Sequence, residues 1–219
     1  MEIRHTDDAK TTHIKVLVHG VAGAGKTRLC ATTGGNPIIL SAEAGLLSLH
    51  QENLPYIEIK TMKDLQEAIV FLQTDKVYDW VCVDSLSEIV AICFAEDYKA
   101  KADKRQAYAE TRQKVMRVIR DLRALPKHLY FSCQQGASEV LGKIIPMTND
   151  KEITQNIPYI FDEVFLLRDM THDGKTYKVL QTFEDSQYVA KDRSGTLATY
   201  EPAKLSKIAA KILTNKPKG

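Results

Sequence analysis

Gly20-Val-Ala-Gly-Ala-Gly25-Lys26-Thr27 is the stretch that decides the fold. It fits G-x-x-x-x-G-K-[ST] in full. An apolar run at 14–18 precedes it as a strand, and the residues after it are expected to form a helix. The residue types suit one chemistry. Glycines let successive backbone N–H groups curl around a β-phosphate, the Lys26 ammonium neutralises β and γ oxygens, and the Thr27 hydroxyl ligates Mg²⁺. A helix starting at this point would add the positive end of its dipole. Gly20, Val21, Ala22, Gly23, Ala24, Gly25, Lys26, Thr27 and Arg28 are therefore the expected binding set for a nucleoside triphosphate with Mg²⁺. The loop does not select adenine over guanine, no guanine-reading N-K-x-D motif appears, and ATP is the expected cofactor.

Outward from that loop, short apolar runs alternate with helical patterns, which reads as an α/β fold on a mostly parallel sheet. Strands are expected at 37–40, 56–59, 80–83 and 129–133. Thr61-Met-Lys-Asp64 has the form of a capping box, and Leu65, Ile69 and Leu72 share one face of the helix behind it. Ser85-Leu-Ser-Glu88 opens another helix in the same way. A basic helix is expected over 109–125, with Val115, Val118, Ile119, Leu122 and Leu125 inward and Arg117, Arg120 and Arg123 outward, stopping at Pro126. The last third changes character. Strands at 164–167, 177–182 and 188–190 are expected, the first two joined through Asp173-Gly174, a hairpin signal, and a helix over 202–213 closes the chain. The fold class is thus a P-loop core with a C-terminal antiparallel hairpin. It is read as one domain over 14–213 between tails at 1–13 and 214–219.

Composition sets bounds on function. The 219 residues carry 30 Lys plus Arg and 28 Asp plus Glu, and 44% are hydrophobic, the balance of an ordinary globular chain. A chain of this length buries roughly 70% of its unfolded surface, so no disulfide or structural metal is needed to hold a core. Cys30, Cys82, Cys93 and Cys133 show no C-x-x-C spacing and sit in apolar stretches, as reduced core thiols do. The polar start has no apolar segment after it, and the longest apolar run, 89–95, is far too short for a membrane span. The expected location is the cytoplasm, with no membrane partner. Net charge is +2, but residues 99–127 hold ten basic and three acidic residues, so this stretch is strongly positive and the remainder negative.

Two carboxylates complete the chemistry. Asp84 ends the strand Trp80-Val-Cys-Val83 at the Walker B position, where the tip of a neighbouring parallel strand can hold a magnesium-bound water beside Thr27. Glu43 follows the strand at 37–40, where a carboxylate can polarise an attacking water. No acidic residue directly follows Asp84, so hydrolysis needs Glu43 or something remote. His19 adjoins the loop and reads as a packed strand-end histidine. The other histidines are too dispersed for a metal cluster.

A phosphate loop, a Glu after the next strand, a strand ending in Asp-Ser and a later strand ending in Gln (Phe131-Ser-Cys-Gln134) together resemble the RecA-type recombinase core. Within it they resemble small phage P-loop proteins of the nucleotide-binding or single-strand annealing kind, whose pattern includes a Lys-Asp-Arg segment, here Lys191-Asp192-Arg193. The resemblance spans about 15–213, and only the phosphate loop is highly specific. It implies Glu43 as general base, Lys26 and Thr27 on phosphate and metal, Asp84 on metal, and Gln134 as γ-phosphate sensor. Lys191 and Arg193 would be fingers reaching the nucleotide of an adjacent subunit.

It further implies a DNA-stimulated ATPase acting on single-stranded DNA in recombination, as a homo-oligomeric ring or filament in the bacterial host cytoplasm, with a single-stranded-DNA-binding protein as a possible partner. The family's DNA-facing loops would fall at 136–156, containing Lys143 and Lys151. The basic stretch offers better electrostatics, with Lys104, Arg105, Arg112, Arg117 and Arg120, and with Tyr98 and Tyr108 for stacking. A second function class fits the same nucleotide site: a switch or loader that acts on a protein partner without gripping DNA. A small-molecule phosphotransferase fits less well, because nothing resembles an arginine-rich lid.

Overall fold

The computed structural model describes His5, 12–100 and 103–214. In chain order its strands are β1 (Lys15–His19), β2 (Pro37–Ser41), β3 (Tyr56–Glu58), β4 (Trp80–Asp84), β5 (His128–Ser138), β6 (Lys143–Met147), β7 (Glu163–His172), β8 (Lys175–Gln181), β9 (Lys191–Asp192) and β10 (Tyr200–Pro202). The α-helices are α1 (Met62–Thr74), α2 (Leu86–Ala100), α3 (Lys104–Ala124), α4 (Lys151–Ile160) and α5 (Leu205–Thr214).

One sheet runs in the order β10-β8-β7-β1-β5-β4-β2-β3. From β7 to β3 the neighbours are parallel, while β8, β9 and β10 add antiparallel pairing on the β7 side. This is the expected α/β core with an antiparallel C-terminal part. The β7–β8 hairpin turns at Asp173 and Gly174, both with positive φ (50° and 73°), as a two-residue turn of this kind requires. Asp84 is not on a strand adjacent to β1: β5 lies between β1 and β4. That insertion puts β5 side chains at the centre of the site.

The two faces of the sheet are covered differently. On one, α1 to α4 pack Leu65, Leu72, Val90, Val115, Ile119 and Ile157 onto Leu17, Leu40, Val83 and Phe131. On the other, α5 and two 3-10 helices at Thr27–Thr32 and Leu46–Glu52 cover Val16, Val18, Cys82, Tyr130 and Phe165. α1 begins with the full capping box: Asp64 N donates to the Thr61 hydroxyl at 3.1 Å, and the Asp64 carboxylate accepts from Thr61 N at 2.8 Å.

Four expectations are revised. The helix after the phosphate loop is only a six-residue 3-10 helix. Thr32 donates its hydroxyl to Leu29 O at 2.7 Å, competing with the regular ladder. Gly34 then turns left-handed (φ +73°) ahead of Pro37, so the run cannot lengthen. Its dipole is correspondingly short. α3 starts five residues earlier than expected, because Asp103 caps it by accepting from Arg105 N at 2.9 Å. Residues 136–156 are not a loop: β5 continues into an antiparallel hairpin with β6, and α4 follows, capped by Asp150. Pro158 in its last turn conceals this helix in the sequence. Finally, 188–190 makes one bridge, Ile144 to Tyr188, and the strand lies one step on at β9, while Pro202, expected to open the last helix, ends β10, and α5 starts at Leu205. The expected tails fall largely outside the described residues.

Candidate nucleotide site

The phosphate loop leaves the carboxyl end of β1 and curls over the end of the sheet. Gly23 and Gly25 take φ of +76° and +100°, which side-chain-bearing residues resist. At Gly20 an added Cβ would lie 3.0 Å from the Leu167 carbonyl of β7, so that position too has little room for a side chain. From beneath, the buried Tyr130 hydroxyl donates to Lys26 O at 2.7 Å and anchors the loop to β5. Lys26 Nζ donates to the carbonyls of Gly20 and Val21 at 2.8 and 3.0 Å, drawn over the loop where anionic oxygens would sit. Burial lowers its pKa, opposed by the negative charges of Glu43 and Asp84.

Beside the loop is a cavity of about 690 Å³. It is lined by 20–23 and 25–28 together with Glu43, Asp84, Gln134 and Gln135. Sequence reasoning chose the loop, both carboxylates and Gln134 separately, and the fold brings them to this one place. Thr27 donates its hydroxyl to Asp84 Oδ2 at 2.7 Å. Donation in that direction leaves the Thr27 lone pairs for a cation. Thr27 and Asp84 together offer hard oxygen ligands, and Mg²⁺ typically takes only one or two protein oxygens beside substrate phosphate and water. The residues therefore fit Mg²⁺. Among the described residues no group of three or more His, Cys, Asp or Glu gathers elsewhere to hold a metal.

Glu43 reaches the cavity because Ala42 N and Glu43 N both donate to Asp84 O, at 2.7 and 3.3 Å, tying the end of β2 to the end of β4. The Ser85 hydroxyl donates to Glu43 Oε1 and accepts from Glu88 N, so one side chain starts α2 and orients the carboxylate. The Asp84–Ser85 peptide bond is cis. Gln134 N donates to Ser87 Oγ at 3.0 Å, which leaves the Gln134 side chain exposed at the cavity wall. Arg28, at the cavity wall with Ser48, is held by Ser48 O and Glu52.

Sequence reasoning missed Tyr130, Ser132 and the orienting role of Ser85. A hydroxyl inside the apolar run at 129–133 is the signal for Ser132, since a buried hydroxyl needs a partner. His19 is fully buried, its Nε2 donates to Val189 O at 2.8 Å, and burial lowers its pKa to about 4. It is packed, as expected. The four cysteines are buried and free.

Lys191 and Arg193 are not in this cavity. β9 pairs with the start of β7, so both lie at the amino end of the parallel strands, away from the phosphate loop. Lys191 Nζ donates to Pro158 O at 2.5 Å, and Arg193 pairs with Asp162 at 2.6 Å. Four cations of the basic stretch are paired with carboxylates within the molecule. Arg112 binds Asp150 and Glu152, Lys114 binds Asp97, Arg123 binds Asp162, and Lys127 binds the buried Asp75. Lys143 of β6 pairs with Glu184. Lys104 lies 4.0 Å from the centre of the Tyr98 ring. Arg105, Arg117 and Arg120 are exposed, with no side-chain partner among the described residues.

A family model described as "AAA domain" matches residues 12–194, most of the chain. The chain belongs to this AAA-domain family. That membership supports an ATPase-type P-loop domain with nucleotide-dependent activity, and the cavity beside the loop is its candidate nucleotide site. A KaiC-like protein of the hyperthermophilic archaeon Pyrococcus horikoshii OT3 is similar in structure over 76% of each chain, with a TM-score of 0.49 and 12% identity. No curated protein matches the chain. No helix among the described residues is long and apolar enough to cross a membrane.

Proposed function

We propose that this AAA-domain protein hydrolyses ATP to ADP and phosphate and acts on single-stranded DNA in recombination, by annealing or strand exchange. The observation that carries the hydrolysis is the placement of Glu43 on the phosphate-loop cavity, with its carboxylate oriented by Ser85 and tied by backbone to the Asp84 tip. In this reading the loop N–H groups and Lys26 bind the phosphates. Glu43 accepts a proton from the attacking water, and Thr27 and Asp84 hold Mg²⁺. The metal, when bound, neutralises charge on the phosphate oxygens. Gln134, at the cavity wall and at the root of the β5–β6 hairpin, suits a sensor whose state the hairpin follows.

DNA binding rests on the exposed Arg105, Arg117 and Arg120 of α3, with Tyr98 and Tyr108 packed around Phe94 at its start. Lys191 and Arg193 lie too far from their own cavity to serve it. Their service would be in trans, in a ring or filament of this chain, and Arg193 would first have to leave Asp162. The internal pairing of Arg112, Lys114, Arg123 and Lys127 favours the second reading, a nucleotide-dependent switch for a protein partner.

ATP turnover measured with and without single-stranded DNA, over a salt series and several protein concentrations, separates the two readings. Stimulation by DNA that fades with salt and rises steeply with protein concentration supports an oligomeric DNA ATPase. Turnover indifferent to both contradicts it and leaves the switch.

A further inference from the structure

β5 is inserted between the strand that carries the phosphate loop and the strand that ends in Asp84. Its side chains at that level must therefore meet the metal-side carboxylate. Val83 pairs with Phe131 and Val18 with Ser132, which sets Ser132 one step beyond the last β4–β5 pair, level with Asp84. Asp84 is 2% exposed and Ser132 fully buried, so water has little access to either. The Ser132 hydroxyl donates to Asp84 Oδ1 while the Thr27 hydroxyl donates to Oδ2. No other side chain donates to Oδ1 among the described residues.

We infer that Ser132 is a positioning residue for the Mg²⁺-nucleotide state: it fixes the rotation of the Asp84 carboxylate, so that Oδ2 takes the Thr27 proton and the Thr27 oxygen is turned toward the cation. The inference rests on the nucleotide reading of this cavity. Without the Ser132 hydroxyl, a buried anionic oxygen loses its hydrogen bond, and the carboxylate can rotate away from Thr27. Two residues on, the same strand places Gln134 at the cavity wall and then enters the β5–β6 hairpin. Ser132 thus ties the metal side of the site to the strand that lines its phosphate side.

The test uses the full chain, a fluorescent ATP analogue and a Mg²⁺ titration, read as binding rather than turnover. Ser132→Thr and Ser132→Val have the same shape and differ only by the hydroxyl. Ser132→Thr is expected to keep the wild-type Mg²⁺ midpoint for tight nucleotide binding. Ser132→Val is expected to need about tenfold more Mg²⁺, the factor at the lower end for a hydrogen bond to a charged group. Both should bind the analogue equally in EDTA. Equal midpoints in the two variants, or a loss in Ser132→Val of the same size in EDTA as in Mg²⁺, overturns the inference and leaves the nucleotide site standing. Wild-type protein that binds no analogue under either condition overturns the nucleotide reading as well.

Discussion

The carboxyl end of the parallel strands and the outer side of α3 are both built from polar and charged residues, but they use them in opposite ways. At the strand ends, the hydroxyls of Thr27 and Ser132 donate to the Asp84 carboxylate and that of Ser85 to Glu43, and both carboxylates line one cavity. Along α3 and just beyond its end, four of the ten cations in the basic stretch meet carboxylates from α2, α4 and the loops, and what they support is packing. Internal partners therefore build the site in one region and use up a possible site in the other. A count of charges in the sequence does not separate the two outcomes.

The sharpest way to break this contrast is at Lys26. Lys26→Ala should lower nucleotide affinity by a hundredfold or more while leaving the melting temperature within a few degrees, because the lysine ammonium makes hydrogen bonds only to its own loop. Calorimetric titration with ATP checks this, and unchanged affinity would remove the loop from the account.

The contrast within α3 is next in size. Arg117→Glu with Arg120→Glu should weaken single-stranded DNA binding about tenfold or more at low salt and leave stability unchanged. Arg112→Ala should do the reverse, costing about 1–2 kcal/mol of stability by freeing the buried Asp150 that caps α4, with little loss of DNA binding. Denaturant melts and filter binding on the three proteins check both halves.

The smallest effect concerns the far end of the sheet. Glu163 is 3% exposed and pairs across strands with Asp192; burial, then the Asp192 charge, raises its pKa to about 8. The folded protein holds this proton up to about pH 8, whereas the unfolded chain releases it near the ordinary 4.5. Stability from this group is therefore full at acid pH and is lost as pH rises through that window, by at most about 1.4 kcal/mol per pH unit. Glu163→Gln should flatten the fall in melting temperature between pH 5 and 8. An unchanged slope would show that another group carries it.

Much of this molecule was legible in its sequence where the determinants were local. Gly20 to Thr27 is a contiguous motif whose chemistry requires its residues, and Thr61 with Asp64 names its own helix start. The Asp173–Gly174 turn is equally local. Features set by distant neighbours were less legible. The place of β5 between β1 and β4 follows from pairing with strands distant in sequence, so Ser132 had no visible partner. The 3-10 helix at Thr27–Thr32 follows from breakers beyond its end, and α4 was masked by Pro158. The fate of the basic residues depended on Asp75, Asp97, Asp150 and Asp162, each supplied by another element or by a loop.

The most direct measurement of the central claim compares wild type with Glu43→Gln for ATP turnover and for binding of a fluorescent ATP analogue in Mg²⁺. The account predicts turnover reduced by a hundredfold or more, with affinity retained within a few-fold, since the amide keeps the Ser85 hydrogen bond and cannot accept the water proton. Unchanged turnover with the Gln would contradict the assignment of Glu43 as the base and move the hydrolytic centre away from the tip of β2.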